Sequence, residues 1–197
     1  MQPKDLVGGI KDRNDGANEG AKPLLMIDID GVISLFRAGP ESSGAPQRIE
    51  RSFEQIEGTF HSIDGMPHFL SSTAAAHLLA LSPLFELVWA SGWEEKADEH
   101  LPHLLGLPAA LPFLRFPQAA PGTQYTHGHW KLESIGEYAA GRPLAWIDDM
   151  LSPACHEWAA ARAEPTLLVQ TVPEHGLTSR EAQLLEDWAQ ALAAPAA

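Results

Sequence analysis

Two carboxylates, Asp28 and Asp30, end the apolar run LLMIDIDGV that spans residues 24–32. In an extended chain residues i and i+2 project to the same side. The pair therefore begins on one face, and Gly31 permits a sharp turn directly after it. Two acids this close repel each other unless a proton or a cation lies between them. Magnesium suits such a pair, because it takes one or two carboxylates and fills its shell with water and phosphate oxygens. Two other apolar runs also end in polar residues: Ser91-Gly92 follows 85–90, and Asp148-Asp149 follows 144–147. Lys131 stands before the last of these runs and is placed to bring a cation to the same region.

The elements that must position these groups follow from hydrophobic pattern and punctuation. A short continuous apolar run reads as a strand buried on both faces, which gives strands over 24–28, 85–90, 144–147 and 166–170, with a short one at 114–116. Helical periodicity falls over 67–81, with Ala74, Leu78, Leu79 and Leu81 as its apolar stripe, and over 94–101, where Pro102 ends it. A third helix covers 129–140 and stops at Gly141. Ser152-Pro153 reads as an N-cap and first turn. Thr178 and Glu181 form a capping box for a last helix over 178–192, with Leu184, Leu185, Trp188 and Leu192 on one face. Strands alternating with helices predict an α/β fold, a Rossmann-like three-layer α/β/α sandwich around a mostly parallel sheet. Ligands of such sheets bind beyond the carboxyl ends of the strands, so Asp28, Ser91 and Asp148 fall on one edge. Residues 36–63, rich in Gly, Pro and Ser and then alternating, read as a small β-hairpin-like cap insertion.

Composition narrows the classes. The chain has 197 residues, enough for one well-buried domain, read here as 23–193 after a disordered tail over 1–22. Thirteen Lys and Arg face twenty-six Asp and Glu, a formal net charge of -13, which speaks against extended nucleic-acid binding. The single cysteine, Cys155, rules out an internal disulfide and fits a reducing cytosol. No apolar stretch is long enough to span a membrane, and the first 22 residues lack the apolar core of a signal peptide. A cytoplasmic location is the resulting expectation.

Taken together, Asp28-Ile-Asp30-Gly31, Trp89-Ala-Ser91-Gly92, Lys131 and Trp146-Ile-Asp148-Asp149 resemble the four motifs of the haloacid dehalogenase-like (HAD) superfamily, in order and over roughly 22–192. The segments Trp89–Glu94 and Glu174–Thr178 are most similar to those of small HAD domains related to bacterial RNA-repair proteins. The resemblance implies a magnesium-dependent phosphatase working through an aspartyl-phosphate, with Asp28 as nucleophile and Asp30 as general acid and base. It implies magnesium held by Asp28, by Asp30 through its backbone carbonyl, and by Asp148 and Asp149, with Ser91, Gly92 and Lys131 on the phosphoryl oxygens. An acid at Asp30 favours ester over carbon–halogen cleavage, since an alkoxide needs a proton and a halide does not. The implied substrate is a phosphorylated small molecule or nucleotide. Alternatives are a nucleotide or polynucleotide-end phosphatase or phosphotransferase of a repair system, and a non-catalytic phosphate- or metal-binding module.

Each residue also has a plainer reading. Asp28 and Asp30 fit a turn, Asp149 a turn cap, and Ser91 with Glu94 a capping box that needs no ligand. Trp89 and Trp146 read as core. Trp93 is a packing residue or a ring for substrate to stack on. Arg48, Arg51 and His61 in the insertion and His175 after the last strand are candidate substrate contacts or solvated loop residues. His127 and His129 lack the partners of a transition-metal site, and Cys155 reads as a buried small residue.

Overall fold

The computed structural model describes residues 22–36, 55–116 and 129–194. The tail over 1–21 and Arg48, Arg51 and His127 lie outside them. Strand β1 (Leu24–Ile27) is buried along its whole length, as its unbroken apolar run requires. It runs parallel to β5 (Glu86–Trp89) on one side and β6 (Leu144–Asp148) on the other, pairing Ile27 with both Trp89 and Ile147. With β7 (Thr166–Gln170) outside β6, the sheet has the order β5-β1-β6-β7. The strand expected over 114–116 contracts to a bridge between Phe113 and Trp89. There Trp89 N–H donates to Pro112 O at 2.9 Å and Leu114 N–H to Trp89 O at 2.9 Å.

Alternation along β1 divides the core in two. Leu25 and Ile27 pack with α1 (Ser72–Leu81), α2 (Lys96–Leu105) and α5 (Ser179–Ala193) through Leu78, Leu101 and Leu185. Leu24 and Met26 pack with α3 (Leu132–Tyr138) and α4 (Pro153–Ala161) through Ile135 and Cys155. The result is the α/β/α sandwich that the alternation of elements predicts. Cys155 is fully buried beside Trp146 in the second layer.

A second, antiparallel sheet of order β2-β4-β3 lies between β1 and α1 in the chain: β2 (Ser34–Leu35), β3 (Gly58–Ile63) and β4 (Met66–Ser71). Its hairpin turns at Asp64-Gly65, whose φ values of 53° and 79° are those of a two-residue turn with both central residues left-handed. This corrects two sequence readings. The hairpin extends past residue 63 to Ser71, and residues 67–71 are strand, with the helix starting only at Ser72 after the Ser71 cap accepts from Ala74 N–H at 3.1 Å. Short apolar runs fit either state, and pairing with β3 decides this one. Pro102 does not end α2. The helix runs on to Leu105 and closes at Gly106, in the left-handed region, whose N–H reaches Pro102 O at 3.0 Å. Proline removes one N–H, and the next turn still closes around it. Helix α3 starts at Leu132, with Lys131 as its cap residue. The expected capping box at Thr178 and Glu181 is present. Leu79 and Leu184, placed on buried stripes by periodicity, are exposed, and Ala75 and Ala189 take the buried positions.

Candidate active site

Backbone pairing brings the strand ends side by side. Asp28 N–H donates to Ile147 O at 3.0 Å and Ala90 N–H to Ile27 O at 2.8 Å, which sets Asp28 between the ends of β6 and β5. The chain then turns: the Ile29 carbonyl accepts from Val32, Ile33 and Ser34 N–H, and Gly31, at φ 71°, carries the reversal. Thr171, buried directly after β7, holds that turn by donating from Oγ1 to Gly31 O at 2.8 Å. Thr171 was not anticipated, although the rule that found Asp28, Ser91 and Asp148, a polar residue at the end of a parallel strand, also selects it.

Lys131 is 2 % exposed, and its ammonium lies between two carboxylates, 2.8 Å from Asp28 Oδ2 and 2.6 Å from Asp148 Oδ2. Asp148 is further held by Trp146 Nε1–H at 3.2 Å on Oδ2 and by Met150 N–H at 2.9 Å on Oδ1. Asp28 Oδ1 accepts from Ile29 N–H at 2.8 Å. Burial pushes the Asp28 carboxyl up from 3.8 to about 6, against the pull of Lys131 and with the help of Asp148. Asp149 is raised as well, by burial first and then by Asp148. One ammonium thus serves two buried acids, with a third beside them.

These acids suit a cation. One carboxylate oxygen from each of Asp28, Asp148 and Asp149 can be chosen so that the three lie within 4.8 Å of one another. Asp149 reaches this position only because residue 31 is glycine: a Cβ there would stand 2.5 Å from Asp149 Cγ. An all-oxygen set of carboxylates suits a hard divalent cation better than a soft one.

Asp30 departs from its partner. The strand ends before it, so the i, i+2 relation does not carry its carboxylate into the acidic group; Oδ2 instead accepts from Trp93 Nε1–H at 3.0 Å. Trp93 meets the His68 ring edge to face at 4.9 Å, and His68 Nδ1 lies 2.9 Å from Ser34 Oγ. His68 was not singled out from the sequence, whose pattern places it in the first turn of a helix over 67–81 and not on β4. His61 lies opposite it on β3 and bonds to Thr59 Oγ1 at 2.7 Å.

Ser91 is buried at the end of β5, and Gly92 faces Trp130. The capping-box reading of Ser91 is corrected: α2 begins only at Lys96, and Glu94 spends its carboxylate on Phe116 N–H at 3.0 Å and Arg115 Nη1 at 3.3 Å. His129 packs against Trp146 at 5.1 Å, and burial lowers its imidazole pKa. His175 sits in the turn that joins Val172 to Gly176, and Gly176, at φ 68°, lies against Val32 O so closely that a Cβ would stand 2.3 Å from it. Among the described residues no helix is long and apolar enough to cross a membrane.

A family model described as the HAD domain in Swiss Army Knife RNA repair proteins matches residues 24–182. No curated protein matches the chain.

Proposed function

The chain belongs to the family of HAD domains in Swiss Army Knife RNA repair proteins, and on that premise we propose that it is a magnesium-dependent phosphate monoester hydrolase with residues 23–193 as its catalytic unit. The observation that carries this reading is the grouping of Asp28, Asp148 and Asp149 within 4.8 Å around a turn that ends a buried strand, with the Lys131 ammonium on two of them.

In this reading Asp28 attacks phosphorus, forming an Asp28–phosphorus bond as the ester P–O bond breaks. Asp30 gives its proton to the departing oxygen, then takes one from the water that releases phosphate from Asp28. Lys131 has three N–H donors; two go to Asp28 and Asp148, and the third is available to a phosphoryl oxygen, beside Ser91 and the Gly92 backbone. Asp28, Asp148 and Asp149 with the Asp30 carbonyl would hold magnesium, which when bound neutralises charge on the transferring phosphoryl group. The substrate is a phosphorylated small molecule, a nucleotide or a polynucleotide end. The family favours the last, while the net charge of -13 disfavours long contacts with a nucleic-acid backbone.

The test is phosphate release from nucleotides, sugar phosphates, a 3′-phosphorylated oligonucleotide and an aryl phosphate, with magnesium or with EDTA, for wild type and Asp28→Asn. Magnesium-dependent release that Asp28→Asn abolishes supports the reading. Absence of turnover across the panel overturns it in favour of a phosphate- or metal-binding module.

A further inference from the structure

Asp30, Trp93, His68 and Ser34 close a ring of contacts at the turn that follows β1. Trp93 Nε1–H holds Asp30 Oδ2 at 3.0 Å, His68 packs edge to face on Trp93 at 4.9 Å, His68 Nδ1 pairs with Ser34 Oγ at 2.9 Å, and Ser34 returns to Asp30 through a backbone bridge. The ring joins four segments: the turn after β1, strand β2, the turn after β5 and the hairpin strand β4. Further out, Lys96 at the start of α2 pairs with Asp64 in the hairpin turn, so the hairpin is tied to the Trp93 segment at a second place. A surface pair of that kind adds little energy; its relevance is that both links join the same two segments.

We propose that Trp93 is a positioning residue that acts through Asp30, with His68 of the hairpin fixing the indole, so that proton delivery to an alkoxide leaving group depends on Trp93. This rests on the phosphatase reading above. An alkoxide leaves poorly and needs a proton delivered as the P–O bond breaks; the bridging oxygen takes the proton from Asp30, and Asp28 keeps the phosphoryl group. A phenolate with an electron-withdrawing substituent leaves with little help. In the phosphoryl-transfer step, which kcat/KM reports, holding Asp30 by a dedicated donor helps only the first kind of leaving group; the later proton transfer from water is common to both. A freely rotating carboxyl must find its place within the lifetime of each encounter, and a held one is already oriented. A purely structural Trp93 would instead affect both kinds of ester alike.

The experiment compares glycerol 2-phosphate with p-nitrophenyl phosphate for wild type, Trp93→Phe, His68→Phe and Asp30→Ala, with folding checked by thermal melting. Trp93→Phe keeps the ring and removes the N–H. We expect it to lower kcat/KM about 10-fold more on the alkyl than on the aryl ester, within the range of roughly 10²–10⁴-fold that acid–base catalysis supplies. KM should stay near its wild-type value. In the Asp30→Ala background Trp93→Phe should cost the aryl reaction nothing further, because residues acting as a unit are not additive. His68→Phe, which keeps a ring against Trp93 but loses the Ser34 link, should show the same alkyl-over-aryl bias at smaller size. Equal losses on both esters overturn the proposal and make Trp93 a packing residue. A rise in KM with kcat kept also overturns it and makes the indole a substrate contact. Wild-type turnover of neither these esters nor any member of the panel above, or turnover that survives Asp28→Asn, overturns the phosphatase reading itself, an outcome distinct from the first two.

Discussion

Replacing Asp28 with asparagine should stabilise the metal-free protein at neutral pH while abolishing its proposed chemistry. The carboxyl is 8 % exposed, and its burial raises it from 3.8 to about 6 despite Lys131. A gap of about 2.2 pH units at about 1.36 kcal/mol each amounts to ~3 kcal/mol. The folded state binds this proton more tightly than the unfolded one. The associated stability is therefore fully present below 3.8 and is lost as pH rises through about 6. Asparagine, like the protonated acid, stays neutral and keeps one carbonyl oxygen to accept from either Lys131 or Ile29 N–H. In EDTA at pH 7.5 Asp28→Asn should therefore exceed wild type by ~3 kcal/mol, and at pH 4 by under ~1 kcal/mol. For a chain of this size that corresponds to roughly 6–12 °C in Tm at the higher pH, read by circular dichroism. Saturating magnesium should close the gap by raising wild type alone. A variant no more stable than wild type at pH 7.5 in EDTA would refute the reasoning: the attraction of Lys131 would then outweigh the burial of Asp28, and the site would have no need of a second cation.

Lys131→Met should be costly in the other direction, by about 3–5 kcal/mol in urea denaturation with EDTA, because two buried carboxylates lose their counter-ion; a loss below ~1 kcal/mol would show that water reaches the cluster. Gly31→Ala places a Cβ 2.5 Å from Asp149 Cγ at a φ of 71°. It should cost about 1–3 kcal/mol and shrink the magnesium-induced rise in Tm, and an unchanged rise would remove Asp149 from the cation site. Gly65→Ala has the same sign of φ with open space around it, so it should cost stability yet leave the magnesium response intact.

The layers were legible in the sequence because they rest on local signals. The run of 24–27 has no polar position, so it had to be buried on both faces; 166–170 was read to the residue; and Thr178 with Glu181 announced the last helix. The hairpin was misread because residues 67–71 become strand only by pairing with β3, which stands outside their own pattern. The acidic group was legible for the same reason as the sheet: Asp28 and Asp148 sit at strand ends that parallel pairing must align, and Lys131 opens the helix that precedes β6. Asp30 and Trp93 lie 63 residues apart, and no periodicity relates a carboxylate to an indole across that distance. His68 depended on the strand that was missed.

Cys155 gives the fold a reporter that needs no engineering. It is the chain's one thiol, fully buried in the layer that also holds Trp146, the donor to Asp148. A thiol reagent can reach it only when α4 lifts from the sheet. The rate of labelling under native conditions therefore measures how often that face of the sheet opens, and comparing magnesium with EDTA would show how far a cation at the strand ends restrains the layer behind them.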